Sequence, residues 1–309
     1  MKYAAVMIPT LCRFEHFVAL IDSLRKNKGV EHTVLYIGLD YPTKSSQWPG
    51  YRKLLEYIPS IAGFKEVHLI KRSENYGIPK NGQDLRAIVE KEHDRVIFSE
   101  DDNVFAPNFL EYINKGLARY EHDGRVAMIC GYRHFYPVVF EENNYFLQNS
   151  EFSAWGYGYW VQKREAIMDG VDYKYFRRII RNPRKLYQAC RRGWNHLKTI
   201  YACSGRRWNN RMKDVVVSEL LFYKDKYVIM PKVSKVRNIG WDGSGNIDSD
   251  SYLTYEHHNQ ELDQNETFEY EGEDCHVEEN ARVYAKASYA RDKKWHVFVR
   301  VVFRVIFGG

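Results

Sequence analysis

Three consecutive acids are the residues of this sequence best suited to chemistry. Glu100, Asp101 and Asp102 directly follow an apolar run that ends at Ser99. Adjacent carboxylates repel one another, so an acidic run at the end of a strand favours a bound cation. Mg²⁺ and Mn²⁺ prefer oxygen ligands, and Mg²⁺ typically binds one or two carboxylates together with substrate phosphates. The run therefore predicts a divalent-metal site; the alternative is a solvated acidic turn before the next helix.

Short apolar runs alternate with helical patterns through the first 131 residues, which predicts a mostly parallel α/β sheet flanked by helices. The predicted strands are 3–8, 33–39, 66–70, 95–99 and 126–130. The predicted helices of this half are 14–24, 83–92 and 107–120. A further helix is predicted over 215–223 and a strand over 227–230.

Polar residues follow the first three predicted strands as well as the fourth. In open α/β sheets, ligands bind beyond the carboxyl ends of the strands, so these residues are candidates for binding. Each of them alone would more often be a surface or turn residue. Their shared position after successive strands is what favours a common site. The candidates are Pro9, Thr10, Arg13, Asp40, Asn75, Gly77 and Lys80.

The acidic run and its surroundings resemble the D-x-D signature of glycosyltransferases of the glycosyltransferase A fold. The similarity is greatest to the inverting family-two type and to the N-acetylglucosaminyltransferase I type. The resemblance implies that Asp102 binds Mn²⁺ or Mg²⁺, which bridges the donor diphosphate. It implies that Glu100 or Asp101 contacts the ribose.

The strand-end loops extend this resemblance. Residues 7–13 look like the first strand and nucleotide loop of the family, with Pro9, Thr10 and Arg13 as nucleotide contacts. Residues 38–40 look like the second strand, which ends on an acid, here Asp40, that holds the base or ribose. Residues 73–81 resemble a loop that closes over the nucleotide, which implies contacts from Asn75, Gly77 and Lys80.

Two aromatic segments resemble the family's sugar and acceptor sites. Residues 152–160 are similar to its Trp-Gly-x-Gly segment, which implies sugar contacts from Trp155 and Gly156. The glycine-rich loop 240–245 contributes Trp241 and Asp242. In the family a His often follows this loop, whereas Asn246 and Ile247 follow it here, so a third protein ligand to the metal is not expected. The resemblance spans residues 1–245.

Inverting transfer needs a general base that removes the proton of the acceptor hydroxyl. In similar bacterial sugar transferases an acid precedes a Pro and an Asn-x-Gly-x-Asp-Gly-Ser-Gly run at a fixed distance, which here corresponds to Asp214. The alternative is that Asp214 only caps a helix. Asp242 and Glu219 are the other candidates for the base.

The sequence is therefore interpreted as a metal-dependent inverting glycosyltransferase of the glycosyltransferase A fold. Its expected donor is a uridine-diphosphate sugar, and its expected acceptor is a hydroxyl of a glycan or a lipid-linked oligosaccharide. One alternative is a sugar nucleotidyltransferase, but residues 7–13 lack the glycine-rich first loop of that class. The other is a basic nucleic-acid-binding protein.

Charge divides the chain into expected regions. Residues 1–131 form the nucleotide-sugar half, and residues 132–250 form the acceptor half. The acceptor half includes a basic helical insert, residues 173–213, which holds thirteen Lys and Arg and no Asp or Glu. Residues 251–292 are expected to be an acidic, loose segment, and 293–309 an amphipathic tail. The basic insert and the tail predict contact with an anionic membrane surface, and no nucleic-acid partner is expected.

Whole-chain properties limit the location and the class of partner. A net charge of +6 favours anionic partners. The five cysteines lack a C-x-x-C pair, and the sequence begins without a signal-peptide pattern, so a cytoplasmic protein, peripheral on the inner face of the membrane, is expected. No apolar run approaches the roughly 20 residues that a transmembrane helix needs.

Overall fold

The structure of the protein is a computed structural model that describes residues 2–133, 143–206, 208, 214–242 and 260–274. The predicted amphipathic tail lies outside the described residues. So do residues 243–245 of the glycine-rich loop, residues 207 and 209–213 of the basic insert, and the parts of the acidic segment before 260 and after 274.

Ten strands form two sheets in the described part of the chain. They are β1 (Ala5–Thr10), β2 (Val34–Leu39), β3 (Glu66–Lys71), β4 (Arg95–Phe98), β5 (Asn103–Phe105), β6 (Val126–Cys130), β7 (Tyr145–Gln148), β8 (Tyr157–Trp160), β9 (Tyr227–Pro231) and β10 (Val236–Asn238). The large sheet has the order β3-β2-β1-β4-β8-β6-β9-β7, and β5 pairs with β10 in a small sheet.

The large sheet is mostly parallel, with two reversed strands, β8 and β7. Strands β3, β2, β1 and β4 run parallel, as the alternating pattern of the first half predicts. Strand β8 then lies between β4 and β6 and is antiparallel to both. Strand β9 is parallel to β6, and β7 is antiparallel to β9. Six of the eight strands thus share one direction, as a mostly parallel sheet requires, and the sequence pattern does not predict the reversed strands β8 and β7.

Nine helices lie in the described residues. They are α1 (Phe14–Arg25), α2 (Trp48–Tyr57), α3 (Gly77–Glu92), α4 (Phe109–Arg119), α5 (Val161–Met168), α6 (Tyr173–Arg181), α7 (Pro183–Arg192), α8 (Trp194–Cys203) and α9 (Asp214–Tyr223). Among these residues, no helix is both long and apolar enough to cross a bilayer.

Helices cover both faces of the large sheet. Side chains alternate along a strand, so Val6 and Ile8 of β1 lie in one core while Ala5 and Met7 lie in the other. Helices α1, α2 and α4 pack on the first face, and α3 and α5–α9 on the second. All six residues of β2 are buried, as expected for a strand that is covered on both faces. The carboxyl ends of β2, β1 and β4 therefore meet at one edge.

Three helices form most of the basic insert. The side chain of Asp172 accepts a hydrogen bond from the Tyr175 amide at the start of α6, and Asn182 caps α7 through the Lys185 amide. Such caps satisfy amides that a helix start leaves without partners. The apolar sides of α6–α8 are buried in the second core, which leaves most of their basic residues at the surface.

Residues 260–274 have no helix or strand, yet they are anchored to the rest of the molecule. Phe268 is buried beside Tyr112, and Tyr270 stacks on the same ring at 5.6 Å. Asp263 pairs with the buried ammonium of Lys235 and accepts a hydrogen bond from Asn108. The description of the acidic segment as loose is therefore wrong for these residues, because its aromatic side chains fill a gap over α4.

Candidate functional site

The acidic run lies where the parallel half of the sheet ends. Strand β4 ends at Phe98, and the Ser99 amide still bonds to the Met7 carbonyl of β1 at 3.2 Å. The chain then turns through the three acids into β5. Only 8% of the Asp101 side chain and 7% of the Asp102 side chain are exposed. These two carboxylates are therefore held inside the molecule and do not form a solvated turn.

Arg13 connects Asp101 and Asp102. Its Nη1 donates to Oδ2 of Asp102 at 2.7 Å, and its Nη2 donates to Oδ1 of Asp101. Thr10 donates its hydroxyl to the other oxygen of Asp101 at 2.7 Å, and the Thr10 carbonyl accepts the Asp40 amide at 2.9 Å. The end of β1 therefore joins the acidic run to the end of β2.

The small sheet completes the surroundings of Asp102. Asn238 of β10 donates its side-chain amide to Oδ1 of Asp102 at 2.7 Å, and the Ile239 amide bonds to the Asp102 carbonyl at 2.8 Å. Gly240 follows so closely that a Cβ atom there would lie 2.0 Å from Oδ2 of Asp102. The first glycine of the glycine-rich loop is thus required by contact with the carboxylate.

The donor chemistry of the acidic run suits a hard divalent cation. Asp101 and Asp102 offer carboxylate oxygens, which Mg²⁺ and Mn²⁺ prefer, and few protein ligands suffice when phosphates supply the others. Within the described residues, no group of three or more His, Cys, Asp or Glu side chains is arranged to hold a metal by itself. Asp101 and Asp102 therefore offer the oxygen atoms that such a cation prefers.

Glu100 points toward the aromatic segment. Its Oε2 accepts the indole N–H of Trp155 at 3.2 Å. Burial, and then the charges of Asp102, Asp214 and Asp101, raise the pKa of Glu100 to about 8. At neutral pH this carboxyl is therefore mostly protonated, which lowers the negative charge of the cluster.

Asp214 is the first residue of α9 and lies close enough to Glu100 to raise its pKa. Oδ2 of Asp214 accepts the Ala154 amide at 2.9 Å, so α9 is joined to the segment that carries Trp155. Burial raises the pKa of Asp214 to about 6, while the backbone hydrogen bond from Ala154 lowers it. A carboxylate with this pKa is ionised at neutral pH and can accept a proton.

The aromatic candidates form a group beside Glu100. Trp155 lies edge-on to Tyr132 at 4.7 Å and to Trp241 at 6.1 Å. Gly156 has a φ of 69°, and a Cβ there would lie 2.7 Å from Val236, so glycine is required. Asp242 lies 3.1 Å from Nε2 of His16 at the start of α1.

Asp40 holds the loop 73–81, which contains the candidate nucleotide contacts Asn75 and Gly77. One carboxylate oxygen accepts the amides of Tyr41 and Tyr76, and the other accepts the Gly77 amide and the Asn75 side chain. These four donors match the roughly four lone-pair sites of a carboxylate. Asp40 therefore anchors the loop and the start of α3, and its contact with a base or ribose stays a prediction.

Two other loop candidates have local roles. Pro9 of β1 is paired in register with Gly38 of β2. The ammonium of Lys80 lies 3.6 Å from the centre of the Tyr76 ring. Their predicted contacts with a nucleotide remain predictions.

Glu219, a reserve candidate for the base, lies in a different environment. Its side chain is fully buried, accepts a hydrogen bond from Arg192 at 2.6 Å, and lies 2.5 Å from Nδ1 of His196. This network joins α7, α8 and α9. Glu219 therefore stabilises the packing of the basic insert and is closed to an acceptor hydroxyl.

The structure adds residues that the sequence analysis did not select. Asn238 begins the run that the analysis used to locate Asp214, so a signal for it existed. Tyr132 carries no comparable motif. Its role beside Trp155 depends on the pairing of β6 with β8, which the sequence pattern did not predict.

The solved structures that are weakly similar to this chain include a mannosyltransferase and TarS. A mannosyltransferase, PcManGT from Pyrobaculum calidifontis in complex with GDP-Man and Mn²⁺, is 14% identical with a TM-score of 0.36, over 54% of this chain and 46% of that one. Residues 1–349 of TarS from S. aureus are 15% identical with a TM-score of 0.36, over 54% and 48%. The chain thus spans about half the length of these structures, and at these scores the likeness carries no argument about function. No protein-family model matches the chain, and no curated protein sequence matches it.

Proposed function

We propose that this chain is a glycosyltransferase of the glycosyltransferase A fold that moves a sugar from a uridine-diphosphate donor to a hydroxyl, with inversion and with a divalent metal. One observation carries the proposal: at one edge of the sheet, an acid–arginine cluster that suits a metal and a diphosphate lies next to a carboxylate and an indole that suit a sugar acceptor. The buried acids Asp101 and Asp102 lie with Arg13, and a third carboxylate, that of Asp214, lies beside Trp155.

The donor half of the reaction is assigned to the strand-end residues. Asp102, with Asp101 beside it, would hold Mn²⁺ or Mg²⁺ against the diphosphate. A metal in this position would neutralise the charge that develops on the departing diphosphate. Arg13 carries a delocalised cation that suits phosphate oxygens. Thr10 keeps Asp101 in place through its hydroxyl.

The acceptor half is assigned to the segment before β8 and to α9. Indole faces suit the C–H edges of sugars, and the absence of side chains at Gly156 and Gly240 permits close packing. Asp214 would take the proton of the acceptor hydroxyl as the sugar is transferred. Its burial beside Glu100 gives it a pKa suited to this task, since a base near neutrality combines ionisation with basicity.

Calorimetry tests the donor assignment. The full chain is titrated with UDP, GDP and UTP and with UDP-sugars, with and without Mn²⁺. We expect Mn²⁺ to strengthen binding of a diphosphate, and Asp102→Ala to abolish this effect while the matched surface variant Asp22→Ala retains it. If binding of the diphosphate is unchanged by chelator and by Asp102→Ala, the assignment of a metal to Asp102 is contradicted. Preference for UTP over diphosphates would instead indicate nucleotidyl transfer.

The basic helices support a further part of the proposal, contact with an anionic membrane. Five cationic residues of α6 and α7 are exposed, and among the described residues none has an acidic partner within ion-pair distance. They are Lys174, Arg178, Arg181, Arg184 and Arg191. The neighbouring Tyr187 is 63% exposed and offers a ring suited to the membrane interface. A lipid-linked acceptor would be presented at such a surface.

Vesicle sedimentation measures this contact. Each basic residue near an anionic leaflet contributes about 1 kcal/mol, so the triple variant Arg178→Gln, Arg181→Gln and Arg184→Gln should bind vesicles of phosphatidylglycerol and phosphatidylcholine about 100-fold more weakly. Replacing Lys28, Lys44 and Arg52 with Gln removes the same charge elsewhere and should have little effect. Equal losses in both variants would indicate attraction by net charge alone. Tight binding of RNA in place of vesicles would favour the nucleic-acid interpretation.

A further inference from the structure

Arg13 already pairs with the two carboxylates that are proposed to hold the metal. Its guanidinium lies between Asp101 and Asp102 and donates to one oxygen of each. The other oxygen of Asp101 accepts from Thr10, and the other oxygen of Asp102 accepts from Asn238. Each of the four carboxylate oxygens thus already has a donor.

A divalent cation bound to Asp102 would share this carboxylate with the guanidinium of Arg13. At metal–oxygen distances of about 2.0–2.6 Å the two cations would lie close together and repel each other, which favours departure of one donor. Asn238 is 3% exposed and is held in β10, whereas the Arg13 side chain is 24% exposed. The backbone of Arg13 is fixed, since its carbonyl accepts the Phe17 amide at the start of α1. The long side chain of Arg13 is therefore the group that can move.

Electrostatic attraction would draw the Arg13 guanidinium toward a bound diphosphate. If the Arg13 guanidinium leaves Asp102, it needs another anion, because a partly buried cation without a partner is costly. A diphosphate at the same sheet edge offers phosphate oxygens in the planar, forked geometry that Arg prefers. Metal alone would leave Arg13 without a partner, and diphosphate alone would compete with the acids for it. When metal and diphosphate bind together, the acids pair with the metal and Arg13 pairs with the diphosphate, so each charged group has an oppositely charged neighbour.

We propose that Arg13 is a built-in cation that neutralises Asp101 and Asp102 until the ligands arrive, and that its transfer from the acids to the diphosphate couples metal binding to nucleotide binding. This inference rests on the proposed function and adds a mechanism of coupling to it. Its consequence is reciprocal: UDP tightens Mn²⁺ binding by the same factor by which Mn²⁺ tightens UDP binding.

The test measures Mn²⁺ affinity with and without UDP, by calorimetry and by the electron paramagnetic resonance of free Mn²⁺. The full chain is compared with Arg13→Gln, with Arg13→Lys and with the charge-matched control Arg52→Gln. In the original protein and in the control, we expect UDP to tighten Mn²⁺ binding about tenfold or more. In Arg13→Gln, we expect Mn²⁺ alone to bind about tenfold more tightly, and the effect of UDP to fall to about a third or less of its size in the original protein, because the phosphates still bind Mn²⁺ but the competition from Arg13 is lost.

Arg13→Lys provides the second variant, because lysine keeps the positive charge but lacks the planar pair of N–H donors of a guanidinium. It should retain weak binding of Mn²⁺ alone and lose part of the coupling, and its result decides if Arg13→Gln does not fold. The inference is overturned if UDP and Mn²⁺ bind the original protein and both Arg13 variants leave the affinity for Mn²⁺ alone and the coupling unchanged. Failure of the original protein to bind UDP under any condition would instead overturn the proposed function, and this inference with it.

Discussion

Replacing Asp214 with asparagine is expected to lower the turnover number of sugar transfer by about 10²–10⁴, the range that general-base catalysis contributes. The amide cannot accept the proton of the acceptor hydroxyl, although it can still accept the hydrogen bond from the Ala154 amide. Binding of UDP and Mn²⁺ should stay within about twofold of the original, because the donor residues lie on β1, β4 and the small sheet. Asp225→Asn, at the other end of α9, should leave turnover unchanged.

The pH profile separates catalysis by Asp214 from a merely structural role. The ionised form is the base, and the pKa of Asp214 is raised to about 6, so the rate should fall as the pH drops through 6. Asp214→Asn should lose this dependence. It should also lower the pKa of Glu100, because the charge of Asp214 is one of the causes that raise it. If Asp214→Asn transfers the sugar at the original rate and with the same pH profile, another group must be the base.

The largest effect on stability is expected from Lys235→Met, at about 3–5 kcal/mol in the free energy of unfolding. The ammonium of Lys235 is 2% exposed and pairs with Asp263, which is itself 9% exposed. Its removal would leave a buried carboxylate without a cation, and would loosen the segment 260–274 from α4. Urea denaturation followed by tryptophan fluorescence measures the change.

Lys53→Met is the matched control for this variant. Lys53 pairs with Glu15 at 3.0 Å, with both side chains more than half exposed, so its loss should cost at most about 1 kcal/mol. The double variant Lys235→Met and Asp263→Leu should recover much of the stability, because no buried charge is then left unpaired. Equal, small losses for Lys235→Met and Lys53→Met would show that segment 260–274 contributes little to the fold.

Elements with strong local patterns are predicted well from the sequence. Strand β6 is predicted at its observed bounds, and α1 ends one residue beyond its predicted end. Helix α3 begins at Gly77, six residues before its predicted start, because Asp40 accepts the amides of Tyr76 and Gly77 from across the loop. The spacing of apolar residues within a helix does not reveal a hydrogen-bond partner, such as Asp40, that follows a distant strand.

Strand β8 was missed for a similar reason. Its four residues, Tyr157–Trp160, are all buried between β4 and β6, whereas their sequence indicates only an aromatic sugar-binding segment. A short aromatic run is compatible with either structure, and only the strand order decides. Strand β7 and helix α2 were likewise not predicted.

The sequence identified most of the groups of the candidate site but not their mutual contacts. It selected Arg13 and the acids separately as ligand contacts, whereas the structure places them against one another across 88 and 89 residues of sequence. The hydrogen bonds by which Asp40 holds the loop are likewise not evident from the sequence, and its contact with a nucleotide stays a prediction. Contacts over such separations depend on the order of strands in the sheet, which composition and spacing do not encode.

The pairing of β5 with β10 has a consequence for the order in which the protein matures on the ribosome. The acids and Arg13 emerge early during synthesis, but Asn238, which holds Asp102, follows 136 residues later. At roughly 5–20 residues per second, about 7–27 seconds separate the two. During that interval the nascent chain has its anions and its arginine but lacks the strand that fixes their geometry. Donor recognition should therefore appear only after the second half of the polypeptide has been translated.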